Sequence, residues 1–390
     1  MLTPTSQSAE NTAEKNEKIS SAALASPVAT SSDKKFPLPW WSLLAPLLAW
    51  LLYAGTGWCS GGVYHALLTG ALIGAVLAAV HHAEVVAHKV GEPFGTLVLA
   101  VAVTLIEVVL IVSLMIAGGP ATTALARDTV FAAVMIILNG IVGICLLMGG
   151  LRFGEQKFSL DGVSASLTTL AAITVLTFIL PNYTVSVVGP VYSQSQLGFI
   201  AAVSLVLYGT FVLVQTVRHR DYFLPENAAD TDSHAAPPSN NMAIFSTGLL
   251  LFCLVAVVLL AKKLAPVIEH AVAAAGAPKA LVGVIIAAVV LLPEGLAALR
   301  AARHNRLQTS LNLALGSALA TIGLTIPAVA LVSIVSGLTL TLGIDIKATV
   351  LLMLSMFVTV IALQTGRTTV LQGTVLLVIF AVYLFTTVVP

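Results

Sequence analysis

Ala100-Val101-Ala102-Val103-Thr104-Leu105-Ile106-Glu107 and Ala287-Ala288-Val289-Val290-Leu291-Leu292-Pro293-Glu294 decide the fold. Each places a carboxylate in the middle of a long apolar stretch, and both contain the string Val-x-Leu-x-Glu. A charged side chain at the centre of a bilayer costs about 2.5–3.5 kcal/mol on insertion scales. Two such acids in matching surroundings predict a duplicated membrane protein with an ion site between its halves.

The rest of the chain agrees. It is 58% hydrophobic and 9% charged, against about 25% charged in a soluble domain, so lipid is its main solvent. The net charge of +1 points to no acidic partner. Its basic residues lie in short loops and form no nucleic-acid footprint. Cys59, Cys145 and Cys253 have neither zinc-site nor disulfide-framework spacing and read as small packing residues. Residues 1–36 are rich in Ser, Ala, Thr, Lys and Glu, with no apolar core of a cleavable signal; they read as a disordered cytoplasmic tail.

Apolar stretches able to span about 30 Å of hydrocarbon as helix fall near 38–55, 64–88, 93–117, 128–150, 162–182, 196–217, 243–271, 279–303, 307–337, 346–365 and 369–389. Pro93 can open the third, Gly118-Gly119-Pro120 closes it, and Pro181-Asn182 closes the fifth. Connections after even-numbered spans hold Lys89, Arg152, Lys157, Arg218, Arg220, Arg303, Arg306 and Arg367; those after odd-numbered spans hold Arg127, Lys279 and Lys347. The positive-inside rule then puts the N-terminus in the cytoplasm, and an odd span count puts the C-terminus outside. The polar segment 218–242 separates spans 2–6 from spans 7–11. Each unit has five spans, so the second enters the membrane in the opposite sense. Glu107 and Glu294 each fall in the second helix of their unit.

Two carboxylates brought together in low dielectric repel, and desolvation also favours the neutral form. Protons and a metal cation therefore compete for the same oxygens, which is the physical basis of exchange. Hard cations need more oxygen than two carboxylates supply; calcium takes six to eight ligands. Thr104, one turn before Glu107, and Asn139 and Ser317, both in the third helix of their units, are the candidate supporting ligands. Pro293 has no N–H and releases the carbonyl of Val289 beside Glu294. Asn139 and Ser317 also suit plain interhelical hydrogen bonding, and the glycines beside them close helix packing.

A second cluster is His81-His82-Ala83-Glu84-Val85-Val86-Ala87-His88. His81, Glu84 and His88 share one helical face near the cytoplasmic end of span 2. Their residue types suit pH sensing or a secondary cation site, and equally a solvated helix end. The spacing is not H-E-x-x-H. Arg300, Arg303 and Arg306 read as topology anchors, and Glu269-His270 lie at the outer end of span 7.

The run from Gly91-Glu92-Pro93-Phe94-Gly95-Thr96-Leu97 to Glu107 resembles the first signature of the calcium/cation–proton exchangers, within the cation/calcium exchanger superfamily. The stretch from Leu291 to Pro327, with Glu294, Asn305, Leu315-Gly316-Ser317-Ala318 and Thr325-Ile326-Pro327, resembles the second. Arg152-Phe153-Gly154-Glu155-Gln156-Lys157-Phe158 and Leu207-Tyr208-Gly209 are similar to further family stretches. Within the family the likeness is greatest to bacterial antiporters of the ChaA type, which exchange calcium, sodium or potassium for protons. The resemblance implies eleven helices in two inverted five-helix repeats, alternating access, and a central role for Glu107 and Glu294. The chain departs from the family's Gly-Asn-Ala-Thr-Glu and Gly-Asn-Ala-Ala-Glu at Val103–Glu107 and Val290–Glu294, losing both asparagines, and a family glutamine is Ala320. Fewer side-chain oxygens suit a weaker or broader site, monovalent ions included.

The sequence thus predicts an all-α polytopic membrane protein with about eleven transmembrane helices. Residues 37–56 form the extra N-terminal helix, 62–217 the first five-helix repeat, 218–242 a cytoplasmic linker and 243–390 the second repeat. The expected activity is export of calcium, with sodium and potassium as further cargo, in exchange for protons across a bacterial inner membrane. No nucleophile, nucleotide loop or redox group is evident, so no cofactor is expected. The partners are inorganic cations, protons and the lipid bilayer, with no nucleic acid. A cation channel without coupled proton flux and a membrane-embedded metalloenzyme built on the histidine cluster are the alternatives.

Overall fold

The computed structural model describes residues 38–59, 61–91, 94–118, 122–224 and 238–389. The 1–36 tail, most of the 218–242 linker, the Glu92-Pro93 opening of the third span and the Gly119-Pro120 part of its close lie outside the described residues.

Among the described residues the chain forms eleven long helices. They are α1 (Trp40–Gly55), α2 (Gly62–Val90), α3 (Phe94–Gly118), α4 (Leu125–Phe153), α5 (Leu160–Tyr183), α6 (Gln194–Arg218), α7 (Asn240–Ala274), α8 (Ala280–Arg303), α9 (Leu307–Ser336), α10 (Ile346–Leu363) and α11 (Val370–Val388). Nine are long and apolar enough to cross a membrane among the described residues; α1 and the Ala100–Ile116 part of α3 are shorter apolar helices. Local chemistry sets several ends. Ser193 and Gln196 form a capping box at the start of α6, and the Asp345 carboxylate accepts from Ala348 N–H at the start of α10. Gly337 closes α9 in the left-handed region at φ 67°. Large side chains such as Phe199, Phe357, Leu371 and Phe385 stand exposed on the outside, a surface that suits hydrocarbon and not water.

The helices pack into two apolar clusters. One draws on α1, α2, α3, α7 and α8, through residues such as Ala49, Val76, Leu110, Leu260 and Ile286. The other draws on α3 to α6 and α8 to α11, through residues such as Val134, Leu170, Leu315 and Leu376. Among the described residues only α3 and α8 contribute core residues to both, so the two glutamate-bearing helices lie between the clusters. Among the nine long spans, helices α4 and α9, third in their units, are the most enclosed: 83% and 67% of their most apolar stretches are buried, against at most 44% in the other seven. Wide π-turns interrupt both, at Ile136–Ile141 in α4 and Thr321–Thr325 in α9.

Strand β1 (Gln156–Lys157), between α4 and α5, pairs antiparallel with β2 (Arg367–Thr368), between α10 and α11. At the opposite end Val191, between α5 and α6, bridges Thr341, between α9 and α10. The first join links the third connection of unit one to the fourth of unit two, and the second does the reverse. Exchanging the two units exchanges the two joins, the pattern that inverted repeats require. Other loop contacts keep the same parity: Gln156 Nε2 donates to Asn305 Oδ1 (2.9 Å), and Thr341 N–H donates to the Thr123 carbonyl (3.1 Å).

Helix α1 is tied to α2 by a proline effect. Pro46 has no N–H, which frees the carbonyl of Ser42 one turn earlier. The fully buried His82 of α2 donates its Nε2–H to that carbonyl at 3.2 Å. The Trp50 indole N–H donates to the Phe252 carbonyl, joining α1 to α7.

Candidate cation-binding site

The two glutamate helices each pack on the third helix of the other unit. Helix α8 lies against α4 because glycines permit it: a Cβ on Gly283 would stand 2.9 Å from Asp128 C and Thr129 N, and one on Gly295 would stand 3.3 Å from Ile141 Cδ1. Gly295 adjoins Glu294, so this second approach holds the carboxylate's backbone at the α4 π-turn. In the reciprocal contact, α3 lies against the α9 π-turn. There Thr321 Oγ1 donates to Glu107 Oε2 at 2.9 Å.

Glu107 is buried, and Oε1, its second oxygen, has no hydrogen-bond partner. Glu294 Oε2 is likewise enclosed and unpartnered. The two carboxylates are close enough for the charge of Glu294 to act on Glu107. Among the described residues neither forms an ion pair with Lys, Arg or His. Glu107 is buried and Glu294 half-buried with one enclosed oxygen; an uncompensated buried charge costs several kcal/mol after relaxation, so the pair needs protons or a metal cation to neutralise it. The donors present are hard oxygens, the type that alkali and alkaline-earth cations take.

The supporting candidates divide. Thr104 is buried one turn before Glu107 on α3. Asn139 sits in the α4 π-turn, where its amide donates to Ser355 Oγ (2.9 Å) and the Met135 carbonyl (3.3 Å); its Oδ1 is buried without a partner. Its amide thus makes the interhelical bond and its carbonyl oxygen is left open. Ser317 is half-buried on α9, one turn before Thr321.

Thr321 and Thr325 were not among the sequence candidates. Thr325 is fully buried, turned toward Glu107 but outside hydrogen-bond geometry, and its hydroxyl has no partner. The available signal was the four-residue spacing of Ser317, Thr321 and Thr325 along one apolar helix.

The second cluster is arranged differently. His81 is half-buried, with Nδ1 3.9 Å from the Glu84 carboxylate and its ring 5.4 Å from that of Trp41. Glu84 and His88 are exposed, and the charges of His88 and Arg300 act on Glu84. Among the described residues no three His, Cys, Asp or Glu side chains group as a metal-holding set. The deeply buried member is His82, which is spent on joining α1 to α2.

Fold and site together define a carrier of ions through a bilayer. The chain belongs to the sodium/calcium exchanger protein family, whose model matches residues 61–217 and 245–389. It is 47% identical over 364 residues to the y4hA protein of Sinorhizobium fredii, covering 90% of this chain and 97% of that one. It is 37% identical over 322 residues to the sodium-potassium/proton antiporter ChaA of Escherichia coli, covering 81% of this chain and 87% of that one. The fold matches the solved structure of native YfkE with a TM-score of 0.69 at 18% identity, over 90% of this chain and all of that one. The protein is therefore a multi-pass membrane antiporter of cations.

Proposed function

We propose that this antiporter exchanges sodium, potassium or calcium for protons by alternating access, with Glu107 and Glu294 as the shared cation and proton site. The observation that carries this reading is the pair of buried carboxylate oxygens, Glu107 Oε1 and Glu294 Oε2, that have no partner and no counter-charge. An empty, doubly charged site is too costly to cross the low-dielectric interior; a protonated or metal-loaded one is not. That difference couples the two fluxes without a further cofactor. Thr104, Asn139 and Ser317 supply additional oxygens, with water completing the shell. The short supply of fixed oxygens suits monovalent ions at least as well as calcium, and the Escherichia coli relative, named for sodium and potassium, supports that order.

In this reading 62–217 and 243–390 are the two repeats and 218–242 is the cytoplasmic linker. The N-terminus is cytoplasmic and the C-terminus is outside a bacterial inner membrane. Export of the cation is driven by entering protons.

The test uses purified protein in vesicles with an acidic interior. Adding sodium, potassium or calcium outside should collapse the pH gradient with saturable dependence on the cation. Cation currents without opposing proton flux would convert the reading to a channel, and no cation-dependent proton flux at all would end it.

A further inference from the structure

We infer that Thr321 is a specificity-determining positioning residue: by holding Glu107 Oε2 it leaves the carboxylate one open oxygen, Oε1, for an incoming cation. This inference rests on the reading of Glu107 as a cation ligand.

The bond is enclosed and joins the two units. Thr321 is 3% exposed, lies on α9, and donates at 2.9 Å to a carboxylate on α3. The π-turn it opens, Thr321–Thr325, aims it there. Residues four apart on a regular α-helix drift by about 40° around the axis; a widened turn takes up that drift, and Thr325 at the far end also faces Glu107. The narrow approach of α6 fixes the turn from behind: a Cβ on Gly323 would stand 2.8 Å from Tyr208 Cβ.

Among the described residues no side-chain hydroxyl donates to Glu294, whose Oε2 is enclosed and unpartnered. The corresponding π-turn of α4, Ile136–Ile141, carries a single polar side chain, Asn139, whose amide is committed to Ser355 and Met135. The two carboxylates are thus unequal, and the inequality comes from α9.

The chemical consequence concerns denticity. Calcium takes six to eight oxygens and often binds a carboxylate through both. A carboxylate with one oxygen engaged by a hydroxyl offers the other alone, which suits a cation of lower ligand demand. Thr321 therefore weights the site toward monovalent ions and away from calcium. Removing the hydroxyl releases Oε2 for bidentate binding.

The experiment compares wild type, Thr321→Val, Thr321→Ser and Glu107→Gln in reconstituted vesicles. Apparent affinities are read for sodium, and for calcium either as substrate or as inhibitor of sodium-driven proton flux. Thr321→Val should shift the calcium-to-sodium affinity ratio toward calcium by about tenfold, the weight of one hydrogen bond to a charged group, with a smaller change in maximal rate. Thr321→Ser should restore the wild-type ratio; Thr321→Ala replaces the valine variant if that fails to accumulate. An unchanged ratio, even with a lowered melting temperature, would reduce Thr321 to a packing residue and overturn the inference. Wild-type exchange by Glu107→Gln would instead remove the underlying site assignment. An inactive Glu107→Gln beside an unchanged ratio in Thr321→Val would sink the Thr321 inference alone.

Discussion

Thr321 and Glu107 lie 214 positions apart in sequence and meet through a 2.9 Å hydrogen bond at the only enclosed carboxylate–hydroxyl contact among the described residues. The donor belongs to one five-helix unit and the acceptor to the other. Neither unit alone builds this arrangement.

Glu107→Gln and Glu294→Gln should each abolish coupled exchange while leaving membrane insertion and yield intact. Glutamine keeps the side-chain shape but can neither release the exchanged proton nor offer a carboxylate. Cation-driven collapse of an acidic vesicle interior is the measurement, and substantial activity in either variant would refute the shared site.

Thr104→Val should raise the half-saturation for the cation more than it lowers maximal rate, because it removes one neutral oxygen beside Glu107 and preserves volume. An unchanged half-saturation would exclude Thr104 from the ligand set.

Gly373→Ala should destabilise the protein by about 1–3 kcal/mol or more, the usual result of overpacking. Its added Cβ would stand 2.4 Å from Leu147 N and 2.8 Å from the Gly143 carbonyl oxygen, both backbone atoms of α4. A lowered melting temperature in detergent is the expected readout; an unchanged one would mean that α4 and α11 do not meet this closely.

Ser355→Ala removes the interhelical acceptor of the Asn139 amide and leaves the Met135 carbonyl. The expected loss is about 0.6 kcal/mol and at most about 1.7, the range for interhelical hydrogen bonds in a membrane protein, with exchange retained. Asn139→Ala should in addition weaken cation affinity if its unpartnered Oδ1 serves the ion. Equal affinities in the two variants would leave Asn139 a strut between α4 and α10.

His82→Leu leaves the Ser42 carbonyl without its donor, a loss of about 1–3 kcal/mol for a buried acceptor. Adding Pro46→Ala returns a backbone N–H one turn away, so the double variant should recover much of that loss. Melting temperatures for the four members of this cycle measure the coupling. Strict additivity would show that Pro46 is not what frees the carbonyl.

Hydropathy made the spans legible because lipid leaves the backbone no alternative to helix: all eleven expected stretches are helical, with ends shifted by a few residues. The enclosure of Glu107 and of Glu294 Oε2 was legible for the same reason, since an acid so placed is conspicuous against apolar neighbours. The partner of Glu107 was not. Thr321 is one hydroxyl among many on apolar helices, most of which bond their own backbone four residues earlier, as Thr169 and Thr210 do. Its role depends on a π-turn and on which helix of the other unit lies opposite, and neither has a local signature. The β1–β2 pair escaped for a related reason: two residues on each side carry no strand pattern, and their pairing exists only once the helices are in place.

The packing of α11 on α4 bears on how the chain is made. Gly143 and Gly150 of α4 are shaped to fit α11, which is synthesised long after them, and β1 must wait for β2, whose register pairs Gln156 with Thr368 and Lys157 with Arg367. Helices α4 to α6 are therefore threaded into the bilayer long before their lasting neighbours arrive. For that interval the nascent first half must be sheltered by lipid, by insertion machinery or by provisional contacts, and a chain halted before Val370 would remain an unfinished assembly, open to proteolysis.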